Sequence, residues 1–517
     1  MSFEQAYEAV REYCVQIRTV GSGKPPQTEE VPLLQALGRV LAEPVLADRD
    51  FPPFPRATRD GYALRAADLM TMPATLRVVG QVRAGDSYDL PVLPGEAVEI
   101  MTGAAVPEGA DTVVMVEHTA LKSVEQESKQ KTGEASDSSS AKNEDQSIEN
   151  AAGDKNDDGL SDILDLVSED DGIDDILEAI TDSKVVDSSG NSGQKAKEPA
   201  DEYVEIQKSL IAGENIVPVG AEAKAGQEML SPGLRLGPAQ IAMAAAAGKA
   251  HIRVYRRPRV AILSTGDELV EVAESPGPHQ IRNSNSYSLA ALVIAWGGEP
   301  EQLPLAPDEA GKLTALVKAG LAADMLLLSG GVSMGKFDLV EQALKSVGAE
   351  FFFTGVLIQP GKPVVFGEVK TENETKSSEE NKTQADASRH GEPQSLDHAE
   401  TAFGKKIPLF GFPGNPVSVM VTFDLFARPV LQALGGAVPV RLSTAKARLR
   451  KDFKAKTGLT RFIPAILEGG LSDPEVEAIA WQGSGDLLAS ARANCYLVVP
   501  PDRAQLAAGE MVSVVVR

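Results

Sequence analysis

The stretch that most constrains this chain is MLLLSGGVSMGKFD, from Met325 to Asp338. Four consecutive apolar residues, Met325 to Leu328, are too few for a helix and suit a strand buried on both faces of a parallel sheet. Ser329, Gly330 and Gly331 end the strand. Lacking a Cβ, the glycines permit a sharp turn and let backbone N–H groups come close to a ligand. A second small group, Ser333 to Gly335, precedes Asp338, and Leu339, Val340, Ala343 and Leu344 follow at helical spacing. Strand, glycine turn and helix start together make an anion cradle. A tight strand-to-helix connection without a ligand satisfies the same residues, so the segment alone leaves both readings open.

Composition narrows the class. A chain of 517 residues exceeds one core and predicts several domains. Cys14 and Cys495 are its only cysteines, which excludes a disulfide framework or a thiolate metal site, and five dispersed histidines argue against a His-rich zinc site. MSFEQAYEAVREYCVQI has charges throughout, so it reads as neither a signal peptide nor a membrane span, and a cytoplasmic enzyme is expected. The net charge of −24 is local: residues 121–200 carry −13 and residues 371–406 carry −3, leaving a mildly acidic remainder that is a poor partner for nucleic acid.

Along the chain, a periodic helix is expected from about Phe3 to Ile17, and a second amphipathic helix over Val31 to Ala47. Three prolines in 51–69 force an irregular path ahead of Asp60-Gly61-Tyr62, where Asp60 reads either as a turn aspartate or as part of a site. Short strands fill Leu76 to Glu117 and resume near Tyr203. The polar, acidic residues between them, 121–202, and again 371–405, lack the apolar surface to offset ordering entropy and read as disordered inserts, the first within a hairpin. A helix in LGPAQIAMAAAAG, a strand in HIRVYRR, and then alternating strands and helices predict a parallel, three-layer α/β domain. Ligands in such sheets bind at strand C-terminal ends, which here carry Thr265-Gly266-Asp267-Glu268, Pro307-Asp308, Ser329 to Asp338, and Pro413-Gly414-Asn415-Pro416 before a helix near Val417. From about Val440 the pattern is β again.

The motifs DGYA, IMTGAAVPEGADTVV, STGDEL, LSGGVSMGKFD, QPGKP, FPGNPVS, WQGSGD and ANCYLVV, in this order, resemble the MoeA/gephyrin E-domain family, the molybdopterin molybdenumtransferases. The resemblance implies a multidomain α/β plus β protein. Its expected parts are a molybdopterin-binding-like α/β domain (1–25 with 258–433), a helical linker domain (26–48 with 218–257), a distal β domain (49–217) and a C-terminal β domain (434–517). It implies an antiparallel homodimer whose site lies between the α/β domain of one chain and the distal domain of the other. Transient contact with a molybdopterin adenylyltransferase and with molybdoenzymes is also implied. The reaction implied is Mg²⁺-dependent insertion of molybdate into adenylylated molybdopterin, giving molybdenum cofactor and AMP.

Such a pyrophosphate needs N–H donors, cations and a divalent metal at its oxygens. Glycine turns at 329–335 and 361–362, with Lys362, answer the first need, and Asp267, Glu268, Asp308 and Asp338 offer carboxylates for Mg²⁺. Because Mg²⁺ usually takes only one or two, some of the four have other roles, and Asp267 reads equally well as a cap for a following helix. By family position Asp60, Glu268, Asp308, Asp338 and Lys362 are the implied catalytic set. Thr102, Glu222, Thr265, Gly266, Ser329, Gly330, Gly331, Ser333, Gly335, Gln359, Gly361, Pro413, Gly414, Asn415, Pro416, Arg461 and Ser484 are the implied substrate-binding set. The sequence departs from the family in Gln359 for lysine, Leu459 for arginine (with Arg461 two positions on) and Glu222 for aspartate, and Gln359 donates hydrogen bonds without charge.

An adenylyltransferase would share the SGGVS-type domain but would not need the DGYA, linker and C-terminal β segments. A gephyrin-like scaffold would not need the acidic set. Within the first insert, DDGLSDILD and DDGIDDILE repeat at thirteen residues, and Asp154, Asn156, Asp158, Asp162 and Asp165 with Gly159 match a calcium loop. Val167 and Glu169 impair the second copy, and an acidic segment with a transient helix through Ile173, Ile176, Leu177 and Ile180 fits the same residues.

Overall fold

The computed structural model describes residues 1–20, 27–123, 202–331, 339–370, 405–438, 442–470 and 472–517. The bulk of both inserts, the calcium-type repeat and the helix around Ile173 fall outside the described residues. The chain forms two compact units, Asp50–Glu222, and Met1–Arg49 with Ala223–Arg517.

At the centre of the larger unit lies a six-stranded sheet in the order Glu299–Gln302, Arg259–Ser264, Met325–Ser329, Lys406–Phe412, Val365–Lys370, Ala349–Phe353. The first four strands are parallel, Val365–Lys370 runs against them and Ala349–Phe353 is antiparallel to it in turn, so the sheet is mixed rather than wholly parallel. The reason is local. Val365–Lys370 meets its neighbour as the other half of a hairpin around residues 371–404, with Lys370 opposite Lys406. Arg259–Ser264 and Met325–Ser329 are buried along nearly their whole length, as the apolar runs require when helices cover both faces. The helix Phe3–Val20 buries Ala6, Val10, Tyr13 and Cys14 on one face. There Tyr13 meets Phe366 edge-on at 5.1 Å, and Phe366 stacks on Phe410 at 4.5 Å. Each such aromatic pair contributes roughly 0.5–1.5 kcal/mol beyond area burial.

The helix Pro416–Leu434 is long and apolar enough to cross a membrane, but 89% of its apolar window is buried inside the protein, as for a core helix. It contains a π turn at Phe423–Ala427, just before Pro429. Proline cannot donate to the ladder and its ring crowds the preceding turn, and the wider turn accommodates both constraints.

The second helix expected over Val31 to Ala47 does not form. Thr28–Pro32 is a strand paired antiparallel with His251–Tyr255, Leu33–Ala36 is a 3-10 turn, and Val45–Leu46 pairs with Glu228–Leu230. Gly38 at φ +75° and Pro44 interrupt helical geometry, and the pairing partners lie about 200 residues away, beyond any local pattern. A five-stranded barrel closes the C-terminal part: Thr460–Gly469, Pro474–Ala478, Thr444–Leu449, Met511–Val516 and Cys495–Val499, the last pairing back to the first. Ile358–Gln359 joins it in parallel beside Thr460–Arg461, which brings a loop of the α/β core to the barrel.

The smaller unit holds a six-stranded sheet in the order Thr112–Met115, Gly61–Leu64, Glu96–Ile100, Ala74–Val82, Glu202–Ile206, Thr119–Ser123. The last two strands are antiparallel neighbours, with Ser123 opposite Glu202, so residues 124–201 connect the two strands of a hairpin.

Candidate active site

Register decides where the site forms. Ser264 lies opposite Ser329, and Ser329 opposite Phe412, so three adjacent parallel strands end at one level and release their turns side by side. A fourth segment joins through the bridge between Thr265 and Ala306, which brings Asp308 alongside. The turns border a cavity of about 560 Å³ lined by Thr265, Gly266, Glu268, Asp308, Gly330, Gly331, Ile358, Gln359, Pro360, Gly361, Lys362, Pro363, Pro413, Gly414, Asn415, Ser418, Leu459, Trp481 and Ser484. Ligand sites at the C-terminal ends of parallel strands follow the rule for open α/β sheets.

The glycines are needed here for space as well as conformation. Gly330 has φ +93°, and an added Cβ would lie 2.2 Å from Thr265 O. At Gly331 the φ is +64° and a Cβ would meet Val340 Cγ2 at 2.5 Å. Gly361, at φ +102°, would strike Thr422 Cγ2 at 2.3 Å.

The carboxylates divide their tasks. Asp308 Oδ1 accepts from Thr265 Oγ1 at 2.8 Å, and Asp267 Oδ1 accepts from Asp308 N at 3.1 Å. No helix follows Asp267, since Leu269–Val270 is a short strand; its carboxylate fastens the Asp308 loop instead of capping a helix. Glu268 folds over Gly266, where an added Cβ would lie 2.7 Å from its Oε2. Among the described residues no three His, Cys, Asp or Glu side chains gather as a metal cluster. Glu268 and Asp308 both line the cavity, an all-oxygen pair that suits a hard cation taking one or two protein carboxylates. Ser333, Gly335 and Asp338 lie outside the described residues.

At the barrel side, Arg461 is 7% exposed, and burial pulls its guanidinium pKa down. Its Nε donates to Gln359 Oε1 at 2.8 Å and its Nη1 to Leu459 O at 3.2 Å, so it stands behind two cavity residues and is not itself part of the wall. Among the described residues Lys362 is the only cation in the lining. Ser484 is brought in by Val417 N donating to its carbonyl at 3.0 Å, just inside the helix that Pro416 starts.

Asp60, Thr102 and Glu222 belong to the smaller unit. Thr102 N donates to Asp60 Oδ1 at 2.6 Å, and this backbone bond, followed by the Thr102 hydroxyl, holds the carboxyl below the usual range. Glu222 pairs with Arg56 at 2.9 Å.

Sequence reasoning missed Ser418, Trp481 and Asn285. Ser418 and Trp481 lie inside the motifs FPGNPVS and WQGSGD, whereas Asn285 lies in none of the motifs. Asn285 Nδ2 donates to Ser329 Oγ at 2.9 Å and to Gly414 O at 2.7 Å, joining two turns that are 85 residues apart. A second cavity, of about 390 Å³, is lined by Arg39, Arg235, Arg256, Arg257, Ser231, Gln432, Tyr255, Trp296 and otherwise apolar residues or glycines, with no carboxylate among the described residues of its wall.

Comparison with known proteins identifies the family of the chain. The model of the MoeA N-terminal region (domains I and II) matches residues 1–156, that of a probable molybdopterin-binding domain 261–433, and that of the MoeA C-terminal region (domain IV) 446–516. The molybdopterin molybdenumtransferase of a Nostoc species is 30% identical over 498 residues, covering 94% of this chain and 88% of the relative. The Bacillus subtilis protein of the same name is 27% identical over 513 residues, covering 98% and 92%. The crystal structure of the molybdopterin biosynthesis moeA protein from Pyrococcus horikoshii matches with a TM-score of 0.62 and 24% identity, over the whole of both chains, and so shares the fold. With 30% identity to the Nostoc relative over 94% of its length, this chain belongs to the molybdopterin molybdenumtransferase family.

Proposed function

We propose that this chain acts in molybdenum cofactor biosynthesis as a Mg²⁺-dependent transferase that inserts molybdate into adenylylated molybdopterin and releases AMP. The observation that carries the reading is the cavity in which three positive-φ glycine turns, Lys362, Glu268 and Asp308 converge. The glycine turns suit donation of backbone N–H groups to the pyrophosphate oxygens at close range, and Lys362 adds positive charge there. Glu268 and the second oxygen of Asp308 are the residues suited to hold Mg²⁺, with Asp308 oriented by Thr265 and by the Asp267 contact on its own N–H. Bound Mg²⁺ supplies neutralisation of the charge that builds on the phosphoryl oxygens as the bond breaks. Asp338 is assigned to the same task by family position.

Molybdate is a dianionic substrate. Gln359, with Arg461 behind it, Ser484 and the Pro413–Asn415 turn suit its oxygens by neutral and charged donors. We further propose a homodimer acting in the cytoplasm, in which a second copy of the chain contributes Asp60, Thr102 and Glu222.

Substitution tests the assignment. Glu268→Gln and Asp308→Asn should each lower AMP release by about 10²-fold or more and raise the Mg²⁺ concentration needed for half activity. Unchanged Mg²⁺ dependence in both folded variants would remove these carboxylates from metal binding.

A further inference from the structure

We infer that Asn285 is a positioning residue that locks two walls of the cavity, the Ser329–Gly331 turn and the Pro413–Asn415 turn, into one preformed anion cradle. The inference rests on the reading of this cavity as a pyrophosphate site and deepens it. Asn285 lies in the first turn of the helix Ser284–Ala295, whose capping role is already filled: Asn283 Oδ1 accepts from Ser286 N at 3.2 Å. Asn285 is therefore not needed as the cap. Its amide orientation is fixed by Gly414 O at 2.7 Å, because a carbonyl has no hydrogen to give and the facing atom must be the nitrogen. The same nitrogen donates its other hydrogen to Ser329 Oγ at 2.9 Å.

That arrangement leaves Oδ1 buried without a partner among the described residues. An unpaired buried acceptor is unfavourable, so the orientation is set by the two donor bonds. Three further observations put these bonds at the mouth of the chemistry. Ser329 is buried at the end of the central strand, and its carbonyl accepts from Thr265 N at 3.0 Å. Gly330 N donates to Phe412 O at 3.2 Å. Gly414 comes so near Gly330 that a Cβ on Gly414 would stand 3.7 Å from Gly330 Cα. The two turns are thus close neighbours, tied at their base by the Gly330–Phe412 backbone bond and further out by the Asn285 side chain, which comes from a third element. Preformed donors stabilise developing charge because they need no reorganisation, and a displacement on the order of 1 Å can cost about 10²-fold in rate.

Donor chemistry separates this role from packing. Asn285→Asp keeps the volume but replaces the N–H₂ with an oxygen that repels Gly414 O, whereas Asn285→Ala removes both contacts. The full-length protein is compared in two assays. The first is calorimetric affinity for ADP, a pyrophosphate probe that needs no turnover; the second is Mg²⁺- and molybdate-dependent AMP release, each referred to the folded fraction from near-UV circular dichroism. The expected result is a loss of about 10–100-fold in ADP affinity and in kcat/KM for both variants, with Asn285→Asp no better than Asn285→Ala. Wild-type values in Asn285→Asp would show a packing role and overturn the inference, as would wild-type values in Asn285→Ala. If the wild-type protein binds ADP but shows no AMP release, the functional reading fails while the ADP series still judges Asn285. If the wild-type protein binds no ADP, the pyrophosphate reading falls and takes this inference with it.

Discussion

Replacing Gly330 by alanine tests the cradle at its tightest point. At φ +93° an L-residue costs about 1–2 kcal/mol relative to glycine. The new methyl would also stand 2.2 Å from Thr265 O, a backbone atom. Relief to ordinary contact requires the turn or the Thr265 strand end to move by about 1 Å, and such overpacking typically adds roughly 1–3 kcal/mol. The total loss of stability is therefore about 2–5 kcal/mol. A shift of that size at the cavity wall should lower turnover by about 10²-fold. Gly348 is the internal control: its φ is +80°, but an added Cβ would meet nothing within 4 Å, so Gly348→Ala should lose only the backbone component and keep full turnover. Thermal unfolding and AMP release, measured on both variants, check the contrast. Wild-type turnover by a folded Gly330→Ala protein, or equal losses in the two variants, would refute the claim that this turn is held in place by steric fit.

Two other outcomes follow from buried groups. Asp424, in the π turn, accepts from Tyr496 O–H at 3.2 Å and lies 3.8 Å from Arg517 Nε, while burial raises its pKa against the pull of Arg517 and Arg428. Asp424→Ala would leave Arg428, 4% exposed, without its counter-charge and should cost about 3–5 kcal/mol; an unchanged unfolding temperature would contradict this. Burial pushes the Cys14 thiol up to about 12 and Cys495 up to about 11, so neither should react with an aromatic disulfide reagent at pH 8 until denaturant is added. Rapid native labelling of both thiols would show that the core opens around them.

Much of the α/β layer is legible because its signals are local. Met325 to Leu328 reads as a doubly covered strand and is one, and the helix from Ser284 to Ala295 follows its apolar spacing. Strand ends carry the glycine turns and carboxylates, and strand register, with the Thr265–Ala306 bridge, then draws Thr265, Asp308, Gly330 and Gly414 together. What stayed hidden depends on long-range pairing. Val31 to Ala47 has helical spacing, but Thr28–Pro32 finds its partner at His251–Tyr255 and Val45–Leu46 at Glu228–Leu230. The antiparallel edge of the main sheet arises from a hairpin whose halves are separated by an insert. Asn285 is hidden for a different reason: in RNSNSYS both asparagines sit where a cap belongs, and the fold gives the cap to Asn283 and the two turns to Asn285.

The central claim is that this cavity couples cleavage of an adenylate to molybdenum insertion. Incubation of the purified chain with adenylylated molybdopterin, with Mg²⁺ and molybdate added separately and together, tests it most directly. AMP release that requires both additions and matches molybdenum cofactor formed is the expected result. AMP release independent of molybdate, or none from the folded protein under any addition, would contradict the account.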